Sequence, residues 1–352
     1  MGRLRLSFSG LAADAVLVTH PPNIQYLCGF TGSAGLVLVE DVRATLFTDS
    51  RYTFQAREEV AGARVQIVKG GLFTALGKAL SGRRRLALAY APSQLTVGQK
   101  DALEAAIGKR VKWVKATNAV EQLRAIKDAD ELAVMREAAE LISNVFRQIV
   151  PKIRLGISEL DLSAEIEFAM KREGASGPSF ETIVAAGPRS AWAHARPSAR
   201  PLGKNELVVL DQGAILRGYC SDMTRTVFLG RSSQKVRQMY NAVLEAQEAA
   251  KAAIRPGVTA GEVDAAARKV LKRRGLAQYF THSTGHGLGM EVHEVPRLGR
   301  GEKTILQAGM VVTVEPGVYL EGFGGIRIED DVVVTSKGAE ELTTASRELL
   351  EL

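Results

Sequence analysis

The apolar positions fall into two regimes along the chain. In the first third, short unbroken apolar runs recur: Asp14-Ala-Val-Leu-Val-Thr19, Gly35-Leu-Val-Leu-Val-Glu40, and again over 44–48 and 85–90. Runs of this length read as buried strands. Residues 51–60, 72–80 and 94–107 between them carry helical patterns, so this part reads as an α/β domain. The glycines of Gly29-Phe-Thr-Gly-Ser-Ala-Gly35 mark a turn-rich loop between strands.

The pattern changes after Asn118. Asp128, with Glu131 three residues later, predicts a capped helix start. Leu132, Met135, Ala139, Ile142, Val145, Phe146 and Ile149 then recur at helical spacing, and Pro151 ends the run. One long amphipathic helix is expected, with a domain boundary between 115 and 127. This gives domains of 1–118 and 119–352. The second domain contains a repeat. Gly156-Ile-Ser-Glu-Leu-Asp161 is echoed by Gly257-Val-Thr-Ala-Gly-Glu-Val-Asp264, and each leads into a helix ending at a glycine 18 positions on, Gly174 or Gly275. Ser158 and Thr259 fit N-caps. Two related helix-plus-sheet halves packed face to face are expected.

Composition narrows the class. Hydrophobic residues make up 46% and charged residues 24% of 352, an ordinary globular balance. No apolar run approaches a membrane span, no signal peptide is expected, and two cysteines give neither a disulfide framework nor a thiolate zinc site. A cytoplasmic location without membrane partners is expected. The net charge of +7 is uneven: residues 1–120 hold 16 Lys and Arg against 8 Asp and Glu. The Arg83-Arg84-Arg85 run lacks interleaved aromatics, so a solvated surface is expected there rather than nucleic-acid binding.

Four carboxylates follow the repeat. The first half has Asp211 in Val208-Val-Leu-Asp211-Gln-Gly and Asp222 in Tyr219-Cys-Ser-Asp222-Met-Thr. The second has Glu315 in Val311-Val-Thr-Val-Glu315-Pro-Gly and Glu329 in Gly325-Ile-Arg-Ile-Glu329-Asp. Each half thus supplies two acids in strand-like surroundings. Facing one another when buried, they would repel unless cations lay between them. His286, in Gly285-His-Gly-Leu-Gly289, adds a nitrogen donor. This oxygen-rich set suits two divalent ions, Mn²⁺ first, with Co²⁺ or Zn²⁺ as alternatives. Taken singly, each residue has a plainer reading. Asp211 fits a hairpin turn, Glu315 a strand end, and Glu329-Asp330-Asp331 a solvated acidic run with Asp330 and Asp331 peripheral. His194, His282 and His293 fall near the same segments. His293 falls seven residues after His286, where strand alternation would put every second side chain on one face, and an imidazole near a metal-bound water can donate to a developing oxyanion. His20, before Pro21-Pro22, reads as a turn residue. The serine-hydrolase elbow, the His-Glu-x-x-His motif, the phosphate-binding loop and the dinucleotide fingerprint are all missing from the sequence.

Together the segments Asp211-x-Gly, Tyr219-Cys-Ser-Asp222-Met-Thr-Arg-Thr, His286-Gly-Leu-Gly-x-x-x-His293-Glu, Glu315-Pro-Gly and Arg327-Ile-Glu329-Asp resemble the aminopeptidase P and prolidase group of pita-bread dinuclear metallopeptidases. Phe180-Glu-Thr-Ile-Val-Ala-Ala-Gly187 followed by His194 is similar to that group's first catalytic-histidine segment, and the first domain resembles its N-terminal domain. The resemblance implies a pita-bread α+β catalytic domain behind an α/β domain. It implies Asp211, Asp222, His286, Glu315 and Glu329 as metal ligands, with Asp222 and Glu329 bridging and Glu315 also the general base. It implies that His194 and His293 steady the scissile carbonyl, that His282 and Arg327 support the ligands from behind, and that the enzyme is a homodimer or homotetramer acting on short proline-containing peptides.

Within that group the expectation is an Xaa-Pro aminopeptidase, with an Xaa-Pro dipeptidase (prolidase) as the alternative. Phe30-Thr-Gly-Ser-Ala-Gly35 and Thr48-Asp-Ser-Arg-Tyr52 resemble small bacterial aminopeptidases P, and the small loop residues would leave the cleft open. Arg297, in His293-Glu-Val-Pro-Arg297, is placed to pair with the free carboxylate of a dipeptide.

Overall fold

The computed structural model describes residues 1–81, 85–108 and 111–352; Arg83 and Arg84 of the arginine run lie outside the described residues. The chain divides into two units, Met1–Arg124 and Ala125–Leu352. Among the described residues no helix is long and apolar enough to cross a membrane.

The first unit is built on a six-stranded mixed sheet of β1 (Ala15–Val18), β2 (Gly35–Glu40), β3 (Ala44–Asp49), β4 (Arg64–Val68), β5 (Leu86–Tyr90) and β6 (Val111–Lys115), in the order β4-β3-β2-β1-β5-β6. Strands β1–β3 run antiparallel, whereas β3–β4, β1–β5 and β5–β6 are parallel. The four apolar runs read from the sequence are strands β1, β2, β3 and β5. The half-exposed β4 and β6 lack such runs and escaped that pattern. The Pro21-Pro22 pair opens a helix, Pro21–Cys28, instead of a turn. Proline costs little in a first helical turn, where the missing N–H has no partner to lose. Gly29, at φ 82°, closes that helix in the left-handed region. The unit extends past residue 118 because helix Glu121–Ala125 holds onto it. Asn23 donates to Glu121 Oε1 at 2.7 Å and accepts from Arg124 Nη1 at 2.6 Å.

The second unit repeats one design. In its first half, helices Ala129–Ile149 and Glu159–Arg172 pack against β8 (Ile183–Ala186), β9 (Glu206–Gln212) and β12 (Met223–Leu229). The shared core includes Ile142, Phe146, Leu162, Ile166, Val184 and Leu210. In the second half, helices Gln234–Ala253 and Ala260–Arg273 pack against β13 (Gly285–Gly287), β15 (Val311–Val314) and β18 (Asp330–Thr335). Val243, Ala246, Val263, Ala267, Val312 and Val332 fill that core. In each half these three strands are neighbours in chain order, with antiparallel pairing. A short antiparallel hairpin interrupts each half at the same point. These are β10 (Ala214–Leu216) with β11 (Tyr219–Cys220), where β10 also pairs with β7 (Gly177–Pro178), and β16 (Gly317–Leu320) with β17 (Gly324–Arg327). Strands β14 (Glu294–Leu298) and β19 (Gly338–Glu341) extend the second sheet at its two edges.

The helix starts follow from local chemistry. Asp128 and Glu131 form the capping box read from the sequence, Ser158 accepts from the Asp161 N–H, and Thr259 forms a capping box with Glu262.

Candidate active site

The repeat delivers four carboxylates to corresponding places. Asp211 lies near the end of β9 and Glu315 directly follows β15; Asp222 directly precedes β12 and Glu329 directly precedes β18. Their side chains, with those of His194, His286 and His293, line one cavity of about 370 Å³. Phe180, Ile183 and Val292 give it an apolar wall, and Glu181 and Arg196 also line it.

His286 is oriented by its own neighbour. Its Nδ1 lies 3.0 Å from the Gly287 carbonyl oxygen, so Nδ1–H donates there and the Nε2 lone pair faces the cavity. Nε2 is 3.6 Å from both Asp222 Oδ2 and Glu315 Oε1. That is too long for hydrogen bonds. Asp222, His286 and Glu329 each offer a ligand atom, and these atoms lie within 4.8 Å of one another. The glycines beside His286 are required: a Cβ on Gly285 would stand 1.9 Å from the Thr313 carbonyl oxygen, and one on Gly287 2.3 Å from that of Val295.

The electrostatics of this set call for cations. Burial, then Glu329 and Asp211, push the Asp222 carboxyl well above its usual range. Burial, then Glu315 and Asp211, do the same to Glu329. Burial raises Glu315 to about 8 and lowers His286 to about 4. Asp211 Oδ1 and Asp222 Oδ1 are buried and accept no hydrogen bond among the described residues. Buried acceptors without donors are costly, and oxygen donors with one imidazole fit hard or borderline divalent ions. The residues therefore fit a metal centre.

A relay of neutral and charged groups braces the acids. Arg327 donates from Nη2 to Asp211 Oδ2 at 2.7 Å, from Nε to Thr224 Oγ1 at 3.0 Å and from Nη1 to the Tyr319 hydroxyl at 2.7 Å. Thr224 in turn donates to Glu329 Oε2 at 2.6 Å. His282 has Nδ1 2.7 Å from the Ser283 carbonyl oxygen, which leaves Nε2 to accept from the Tyr319 hydroxyl at 2.9 Å. Burial and Arg327 lower His282 to about 4, so it stays neutral in this chain.

The other residues expected in the site take different positions. His293 sits edge-on to His286, with ring centroids 4.4 Å apart. Residues 288–293 form no strand, so a turn brings the rings together, not strand alternation. His194 is exposed at the cavity. Arg297, on β14, pairs across the sheet with His286; it is exposed and is not among the residues lining the cavity. Asp330 and Asp331 are buried, not peripheral. Both acids pair across the sheet with β15, at Val314 and Thr313, and Asp330 faces helix Gln234–Ala253, where Gln247 Nε2 donates to its Oδ2 at 2.9 Å. Asp331 Oδ2 accepts the Asp222 N–H at 3.0 Å, and Asp330 Oδ1 accepts from Arg225 Nη2 at 2.7 Å.

The sequence profile of Metallopeptidase family M24 matches residues 133–336, and that of the Creatinase/Prolidase N-terminal domain matches residues 1–126. The chain belongs to metallopeptidase family M24. Its catalytic domain has the pita-bread fold. An Xaa-Pro dipeptidase from Bacillus anthracis superposes with a TM-score of 0.96 at 40% identity, covering 100% of this chain and 98% of that one. A Pyrococcus horikoshii protein named Xaa-Pro dipeptidase is 36% identical over 96% of this chain and 94% of its own length. An X-Pro aminopeptidase from Thermotoga maritima superposes with a TM-score of 0.91 at 36% identity, covering 99% of this chain and 100% of that one.

Membership in M24 makes this chain a peptidase of a metal-dependent class. Three members of its site escaped the sequence: Tyr319, Thr224 and Asp331. Thr224 lies in the Asp222-Met-Thr-Arg-Thr segment, and only its pairing opposite Asp211 reveals its role. Tyr319 carries no motif of its own; its hydroxyl becomes legible once the β16–β17 register sets it two residues from Gly317, which pairs with Arg327.

Proposed function

We propose that this cavity hydrolyses the peptide bond before proline in Xaa-Pro dipeptides, with two divalent ions held by Asp211, Asp222, His286, Glu315 and Glu329. The observation that carries the hydrolytic reading is the convergence of four strand-end carboxylates and the His286 lone pair on one cavity. Bound there, divalent ions supply a water nucleophile ionised near neutral pH and a Lewis acid for the carbonyl oxygen. The oxygen-rich donor set favours Mn²⁺, with Co²⁺ or Zn²⁺ as substitutes.

The chain's own groups do the rest. Glu315 takes the proton of the attacking water and returns it to the proline nitrogen, which leaves only when protonated. His194 and His293 donate to the oxygen of the scissile carbonyl as it gains charge. Burial, then His194, lowers the His293 pKa. Phe180, Ile183 and Val292 offer an apolar wall suited to a pyrrolidine ring.

The relatives' names support the dipeptide as substrate over longer peptides, and so favour the alternative over the aminopeptidase. The aminopeptidase remains the second reading because of the Thermotoga maritima neighbour and the small residues of Phe30–Gly35. Hydrolysis of an Xaa-Pro dipeptide is to be compared with that of the same sequence extended by one and by three residues. Cleavage confined to the dipeptide is expected; equal or faster cleavage of the longer peptides selects the aminopeptidase. Assembly as a homodimer or homotetramer is expected with either substrate, and light scattering would reveal a monomer if that is wrong.

A further inference from the structure

Glu159 is a carboxylate that the hydrolytic reading does not use. It is the first residue of helix Glu159–Arg172, it is fully buried, and one stretch of chain supplies all its donors. Oε1 accepts from the Ala186 N–H at 2.9 Å. Oε2 accepts from the Ser198 N–H at 3.0 Å and the Ser198 hydroxyl at 2.6 Å. Arg189 Nε donates to both oxygens, at 3.2 and 3.0 Å. A carboxylate has about four acceptor positions, and donors from residues 186–198 occupy them all. Its place in the first helical turn adds a favourable helix dipole.

The segment closed in this way carries His194. Arg189 also donates from Nη2 to the Arg196 carbonyl oxygen at 2.5 Å, two residues beyond His194, and lies over the Trp192 ring at 4.8 Å, two residues before it. No hydrogen bond to the His194 ring is seen among the described residues. Its place at the cavity is therefore set by the backbone on either side, which is tied at Ala186, Arg196 and Ser198 to one acid–arginine pair and at Ala193 to Arg327 Nη1, 3.3 Å from that carbonyl oxygen.

The second half uses the same device. Asp264, on helix Ala260–Arg273, accepts from the Thr284 N–H at 3.2 Å and the Thr284 hydroxyl at 2.8 Å. Arg268 pairs with Asp264 at 2.7 Å and donates to the carbonyl oxygens of Phe280 and His282. The loop held there carries His282. Asp264 is not at the position equivalent to Glu159, yet in each half an acid–arginine pair holds a histidine loop to the repeat helix. Recurrence at non-equivalent positions speaks for a requirement to fix these loops, beyond inheritance of one contact.

We propose that Glu159 and Arg189 are positioning residues that hold His194 in register with the scissile carbonyl; the proposal rests on the reading that His194 acts on that carbonyl. A misplacement of about 1 Å can cost on the order of 100-fold in rate. Metal-loaded Glu159→Gln and Arg189→Gln are therefore expected to lose roughly 10- to 100-fold in kcat, with KM within about threefold and metal content unchanged. The discriminating test is the same pair of substitutions in a His194→Ala background, where each should cost less than about twofold more. Equal losses in both backgrounds would overturn the proposal, because the pair would then act independently of His194. So would full activity of both single variants. If Glu159→Gln does not fold, Arg189→Gln carries the test, since that side chain is partly exposed. A readout free of turnover is the His194 ring resonance in zinc-loaded protein. It should shift or broaden in Glu159→Gln while that of His282 stays put, and an unchanged His194 resonance would overturn the proposal. Wild-type turnover by His194→Ala alone would instead refute the role given to His194 in hydrolysis, an outcome separate from either of these.

Discussion

At the scale of single residues, the site is a set of buried acids that repel one another unless protons or metal ions lie between them. Glu315 is the one given a proton to carry, so Glu315→Gln should lower turnover by about 10²–10⁴-fold in protein that still melts cooperatively. Activity within a factor of a few of wild type would assign the proton transfer elsewhere. Arg327 is given no proton; it holds Asp211, Thr224 and Tyr319 in place. Arg327→Met should weaken metal binding by about 10–100-fold, as read by titration of the stripped protein. The shifted groups also set a pH dependence for metal-free protein. Glu315, raised to about 8, contributes stability below its ordinary pKa of 4.5 and loses it as pH rises through about 8. His286 and His282, lowered to about 4, contribute above 6.5 and lose it as pH falls toward 4. The two effects oppose each other between 4.5 and 6.5, and only the acids act above that. The melting temperature of stripped protein should therefore fall between pH 6.5 and 8, while metal-loaded protein changes less because ions replace the protons.

At the scale of elements, strands β12 and β18 are joined by Arg225. Its guanidinium donates to Asp330, to the Thr224 and Glu329 carbonyl oxygens, and to those of Ala345 and Ser346. Removing one partner of a buried pair strands the other, so Arg225→Met should cost about 3–5 kcal/mol in urea unfolding. A loss under about 1 kcal/mol would mean that Asp330 is neutral or finds another cation. Lys251 Nζ lies 3.3 Å from the same carboxylate and Arg347 Nε 3.7 Å from it. The elements also show what a sequence makes legible. Helix starts at Asp128, Ser158 and Thr259 were readable because a cap is local chemistry within three or four residues. The repeat was readable because both copies kept those caps and their closing glycines. Asp330 and Asp331 look like a solvated run because the groups that bury them, Arg225, Gln247 and the Asp222 N–H, lie far away along the chain. The Pro21–Cys28 helix is too short for its periodicity to outweigh two prolines. The His286–His293 contact comes from a turn that alternation does not describe.

At the scale of the molecule, the second unit is two copies of one helix-pair-and-sheet design, each contributing two acids to the cavity. Neither half holds enough donors for a pair of ions alone, so metal binding should stabilise the two halves together. The metal-loaded protein should melt several degrees above the stripped protein at neutral pH, the gap growing with free metal concentration. Equal melting temperatures would mean that the acids are already satisfied without ions. If these carboxylates hold the ions on which Xaa-Pro hydrolysis depends, one titration shows it. Protein stripped of metal, with the loss verified by elemental mass spectrometry, is titrated with Mn²⁺ while hydrolysis of an Xaa-Pro dipeptide is followed. No turnover is expected at the start, with a rise to a plateau near two ions per chain. Full turnover before any metal is added would mean that hydrolysis does not depend on ions at these carboxylates.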